Sequence, residues 1–123
     1  MFGNIRAMMS SGLSSGAAKS VVGVVGFELT SSGLTQDAAY EMVHGVNVFT
    51  SVSASTGTIL NSEMEVGESV LIINATGNDL KVYPTVGADI DGATTNTAIT
   101  LAASGRCIIT KVASDAYASF VGA

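Results

Sequence analysis

The chain has 123 residues, of which only 12% are charged, ten acidic against five basic, for a net charge of −5. That length supports one modest domain. An acid excess with five scattered bases argues against a protein that tracks nucleic-acid phosphates. One cysteine and one histidine leave neither a disulfide framework nor a zinc signature, and no apolar run approaches the roughly 18 residues of a membrane helix.

Met1 to Ser20 is rich in Ser, Gly and Ala, with isolated apolar residues at Phe2, Ile5, Met8, Met9 and Leu13. A secretory signal would need an unbroken apolar stretch, and polar residues and glycines interrupt this one every few positions. The segment 1–20 therefore reads as an arm. A Gly/Ser tail cannot offset its own ordering entropy, so Phe2, Ile5, Met8, Met9 and Leu13 are its natural pegs on a partner surface. Folding back onto its own domain is the alternative. Methionine suits either, because it adapts to irregular apolar grooves.

Residues 21–123 form the domain. Val21 to Leu29 predicts a first extended segment, and Thr30 to Gly33 a turn. The stretch Gln36 to Gly45 is compatible with a short helix or a strand. Val46 to Ser53 alternates as a half-buried strand does, and Thr58-Ile59-Leu60 makes a short one. An acidic turn holding Glu63, Glu65 and Glu68 precedes Ser69 to Asn74, whose run of aliphatic residues predicts a strand covered on both faces. After a turn come Leu80 to Tyr83, closed by the single proline, Pro84. A Gly/Asp loop, a strand at Thr97 to Leu101, another at Arg106 to Val112 and a last one at Ala116 to Phe120 complete the chain. About seven or eight short strands at this spacing predict an all-β fold, a single antiparallel sandwich or barrel.

Chemistry-bearing residues are few. His44 would need a nucleophile and an orienting carboxylate to act as a base, and only Glu41 lies near it in sequence. It reads as a packed or interface histidine. Cys107, within a strand, reads as a small buried hydrophobe. Asp89, Asp91 and Asn96 offer oxygens for calcium but lack the remaining acids of a calcium loop, so a plain turn is preferred. Asn74-Ala75-Thr76 has the glycosylation spacing and reads as a turn. The glycines around Gly23 and Gly26 make neither a phosphate loop nor a dinucleotide fingerprint. No catalytic, cofactor or metal site is expected, and the chain reads as non-enzymatic.

The succession GESVLIINATGNDLKVYPTVGADIDG, then TAITLAASGRCIITKV, then DAYASF resembles a small all-β module of virion proteins in tailed bacteriophages. The upstream FELTSSGLTQDAAYEMVHGVNVFTSVSASTGTIL fits the first half of the same module. The resemblance covers Phe27 to Phe120 and is closest to capsid decoration, or cement, proteins. It implies a structural role on the capsid surface, the major capsid protein as partner, a homotrimer, and synthesis in the bacterial host cytoplasm. A head-fibre, tail or baseplate component is the alternative. A host- or glycan-binding adhesion module would want clustered aromatics, and Tyr40, Tyr83 and Tyr117 are spread along the chain.

Overall fold

The computed structural model describes residues 25–122; the arm and its five apolar pegs lie outside the described residues. Ten strands follow in order: β1 (Val25–Thr30), β2 (Tyr40–Glu41), β3 (Val46–Ser51), β4 (Gly57–Ile59), β5 (Ser69–Asn74), β6 (Leu80–Tyr83), β7 (Asp89–Ile90), β8 (Ile99–Leu101), β9 (Arg106–Ala113) and β10 (Ala116–Gly122). The all-β expectation holds. The segment compatible with either helix or strand contains one 3-10 turn, Gln36–Ala38, followed by β2. Two short strands, β2 and β7, were not expected as such.

The strands form a six-stranded sheet, β1-β3-β5-β9-β10-β7, and a four-stranded sheet, β2-β4-β6-β8. Both are mixed, which corrects the antiparallel expectation. From β1 to β6 the chain alternates between sheets, one strand to each. Neighbours within a sheet are therefore a whole coil apart and run parallel. Val25 pairs with Val46 and Val46 with Leu71, while Tyr40 pairs with Thr58 and Thr58 with Val82. The result is a short solenoid-like stack rather than a plain sandwich or barrel. Parallel neighbours need a long crossover, and here the crossover is the strand in the opposite sheet.

The last third of the chain closes this stack with antiparallel strands. β9 joins β5 and pairs on its other side with β10, and β8 pairs with β6. β7 adds two residues parallel to β10 at the far edge, leaving β1 at the other.

Alternation fills the space between the sheets. The six-stranded sheet contributes Phe49, Ile72, Cys107, Ile109, Tyr117 and Ile90, and the four-stranded sheet Thr58, Leu80, Val82 and Leu101. Met42, Leu60 and Met64 fill the coil corners, and the Tyr40 ring meets Phe49 edge-on at 5.9 Å. At Gly57 the coils approach so closely that a Cβ would lie 2.8 Å from the Tyr83 ring and 3.0 Å from the Lys81 carbonyl oxygen.

The Asn-centred turn after β5 is a buried clasp. Asn74 is fully buried; its Nδ2 donates to the carbonyls of Asn78 (2.7 Å), Leu101 (3.2 Å) and Ala102 (3.1 Å). Its Oδ1 accepts from the Thr76 hydroxyl at 2.7 Å. One side chain thus ties the β5–β6 corner to the turn before β9. A glycan cannot reach an amide so enclosed, in agreement with the turn reading.

Candidate interaction face

The expectation that β5 is covered on both faces fails in an informative way. Val70, Ile72 and Asn74 are buried, whereas Leu71 and Ile73 on the opposite face are only half-buried. Their in-register neighbours define what that outer face is. Val25, Val46, Leu71, Ile108 and Phe120 pair in one continuous row across five strands. A second row runs Val48, Ile73, Arg106, Gly122. On the other side of the apolar row, Ser69, Thr110 and Ala118 pair, with the Ser69 and Thr110 hydroxyls 2.6 Å apart.

Arg106 is the only charged residue in these three rows. Phe120 is 76% exposed, Val25 57% and Ile108 43%, and Phe27 on the same strand as Val25 is 65% exposed. Five strands span about 19 Å and two residue rows add roughly 14 Å, so the apolar patch covers on the order of 300 Å². Patches of that size on a soluble domain are commonly functional. By contrast Leu34, Val43, Val66 and Val86 are exposed singly on loops, which is ordinary.

Among the described residues β1 ends the sheet and leaves its outer backbone edge unpaired beside this face. Its pairing with β3 shifts between Gly26 and Leu29, and Glu28 within the shift has φ of 59°. A bulge of this kind twists an edge strand and limits indiscriminate strand pairing. Behind it Gly26 lies against His44, whose imidazole ring leaves no room for a Cβ at residue 26.

The individually weighed residues take structural places. Among the described residues the His44 Nδ1 is buried without a hydrogen-bond partner and pairs with no carboxylate, and the Glu41 carboxylate accepts from the Ser62 amide instead. Cys107 faces the core, and burial, reinforced by the negative charge of Asp91, pushes its thiol up to about 11. Asp91 accepts from the Ser119 amide at 2.8 Å and from its hydroxyl. Asn96 Oδ1 accepts from the Gly87 amide at 2.7 Å, and Asp89 lies in β7. These oxygens hold the loop to β10 and to itself, and no group of three His, Cys, Asp or Glu side chains among the described residues is arranged to hold a metal ion.

In the acidic turn, the Glu65 amide donates to the Glu68 carboxylate at 2.6 Å. Lys111 fastens that turn to β9, its Nζ donating to the Met64 carbonyl at 2.8 Å. Tyr117 is buried, and Tyr40 and Tyr83 are half-buried, so the three tyrosines form no exposed cluster.

The outer face escapes the sequence reading, which places its interface pegs in the arm and reads His44 as a packed or interface residue. Its signal was present in SVLIIN and RCIITKV, where apolar residues occupy both parities of a strand. Scanned against protein-family models, the chain matches none, and no curated protein matches it.

Proposed function

We propose that this protein is a structural component of a tailed-phage particle, a decoration protein that docks on the mature shell between major capsid subunits and stabilises it. The observation that carries this reading is the outer face of the six-stranded sheet. It is apolar, continuous across five strands and bears one charge, so docking it strands few ions away from water. The sequence resemblance supplies the particle, and with it the homotrimer. In the assembled state the arm, through Phe2, Ile5, Met8, Met9 and Leu13, reaches neighbouring capsid subunits.

Such a protein acts by mass action. It binds the assembled shell and not the dissociated subunits, so each bound copy lowers the free energy of the lattice. A patch of about 300 Å² gives about 7 kcal/mol of gross burial at about 25 cal/mol per Å², before ordering costs. That is a modest contact for one copy and a large one when repeated over a shell. Neither a nucleophile nor a cofactor is needed.

Co-sedimentation with mature shells lacking the protein, beside immature shells and isolated tails, tests the reading. Saturable binding to mature shells with a raised disruption temperature is expected. Binding to tails alone would reassign the protein to the tail or baseplate, and binding to none of them would overturn the reading.

A further inference from the structure

We propose that two copies of this chain pair through the outer faces of their six-stranded sheets, related by a two-fold axis that runs along the apolar row. The pairing does not rest on the docking reading above; only its consequence does, that paired copies must separate before either docks. Two observations select a second copy as the occupant, and a third sets the strength of the contact.

The first is the order of the rows. The apolar row from Val25 to Phe120 is the middle one. The Ser69, Thr110, Ala118 row flanks it on one side and the Val48, Ile73, Arg106, Gly122 row on the other. A two-fold contact sets a patch against its own copy. With the axis along the middle row, apolar residues meet apolar residues, and each flanking row meets the opposite one.

The second is charge. Exposed Arg106 stands at one end of the face. Beyond the Ser69 row, at the other end, lie Glu65 and Glu68 in the turn entering β5 and Asp115 in the turn between β9 and β10. Asp89 joins them, paired with Ala116 and donating its amide to the Asp115 carbonyl at 3.1 Å. Lys111, the base at that end, is held by the Met64 carbonyl at 2.8 Å. At the Arg106 end, Glu28 stands on the far edge strand and the Asp79 carboxylate accepts from the Ala103 amide at 3.3 Å. Reversing the strands of one copy therefore carries each Arg106 toward the acidic end of the other. An axis along the strands would instead set Arg106 beside Arg106 and acids beside acids. Each copy carries a net charge of −5, so joining unlike ends offsets the repulsion between copies. The third observation is size. Five strands and three rows present about 400 Å² a copy, against about 800 Å² per partner in a stable complex. The contact is therefore weak and reversible.

Sedimentation equilibrium of the full-length protein, from micromolar to millimolar concentration and without shells, reads the pairing directly. Monomer is expected at the low end and dimer at the high end. Arg106→Glu makes both end contacts repulsive and should weaken association by about tenfold or more. The double variant Glu65→Lys, Asp115→Lys reverses the other end at two exposed positions and should weaken it similarly. Mixed in equal amounts, the two variants should recover association, because every mixed pair joins unlike charges at both ends. Circular dichroism should be the same throughout.

A protein that stays monomeric at every concentration would overturn the proposal. Association unchanged by Arg106→Glu would also overturn it, assigning the contact to another surface. Association lost in each variant and not recovered in the mixture would overturn the two-fold orientation. None of these results decides docking, which is read separately with shells.

Discussion

The two sheets of this protein turn very different outer sides to their surroundings. On the four-stranded sheet the outward rows are Glu41, Ile59, Tyr83 and Gly57, Lys81, Thr100, a mixture of charged, polar and apolar groups as on any solvated surface. On the six-stranded sheet two adjacent outward rows are mostly aliphatic and aromatic and a Ser69, Thr110, Ala118 row flanks them, with Arg106 alone carrying charge in the three. Both sheets share one core and one coil path, so the fold does not require this difference. A side chain on an outer row contributes little to the core; what distinguishes the six-stranded sheet is a surface suited to being covered.

The largest effect expected separates inside from outside on a single strand. Ile72→Ala removes a fully buried side chain and should cost about 3 kcal/mol in thermal or urea unfolding. Ile73→Ala, one residue on and facing outward, should cost less than about 1 kcal/mol. Comparable losses would mean that the outer face is packed like a core within the monomer.

Next in size is the clasp. Asn74→Ala leaves the buried contact to Leu101 and the part-buried ones to Asn78 and Ala102 without their donor and should destabilise the fold by about 2 kcal/mol, with faster amide exchange at both corners it joins. Exchange unchanged at the turn before β9 would show the clasp to be dispensable.

A smaller and more selective effect concerns pH. The Cys107 thiol is held up from its ordinary 9.0 to about 11, first by burial and then by Asp91. Below about pH 9 the thiol is protonated in both folded and unfolded chains and contributes no slope. Between about pH 9 and 11 the unfolded chain ionises while the folded one does not, so stability falls as pH rises. Urea unfolding across that window should show the decline, and Cys107→Ala should flatten it. Equal slopes in both proteins would mean that the thiol is not held neutral by the core.

The positions of most strands were legible in the sequence, because alternation and Gly/Asn/Ser punctuation report pleated segments and their ends. Their path was not. A corner that sends the chain to the opposite sheet uses the same residues as a hairpin that returns it to the same one. Asn74 to Asp79 illustrates this: it looks like a hairpin turn, yet it passes the chain from β5 in one sheet to β6 in the other. Antiparallel order was therefore the natural expectation, and only pairing such as Val46 with Leu71 shows the parallel stack.

The face was hidden for a related reason. Leu71, Ile108 and Phe120 are separated widely in sequence, and only the strand register sets them side by side. Low charge carries no information about which surface is apolar. The double-parity apolar run in β5 predicts a strand buried on both sides, because apolar residues of both parities carry no sign of which face meets the core; the burial pattern shows that Val70, Ile72 and Asn74 do.

The most direct test of the central claim compares one lysine on each sheet. Ile108→Lys places a charge in the apolar row, and Thr100→Lys places the same charge on the outer side of the four-stranded sheet. Both positions are exposed among the described residues, so both proteins should fold with stability within about 0.5 kcal/mol of the original. In co-sedimentation with mature shells, Thr100→Lys should bind as the unmodified protein does and Ile108→Lys should lose saturable binding. Equal binding by the two variants would contradict the claim that this face docks.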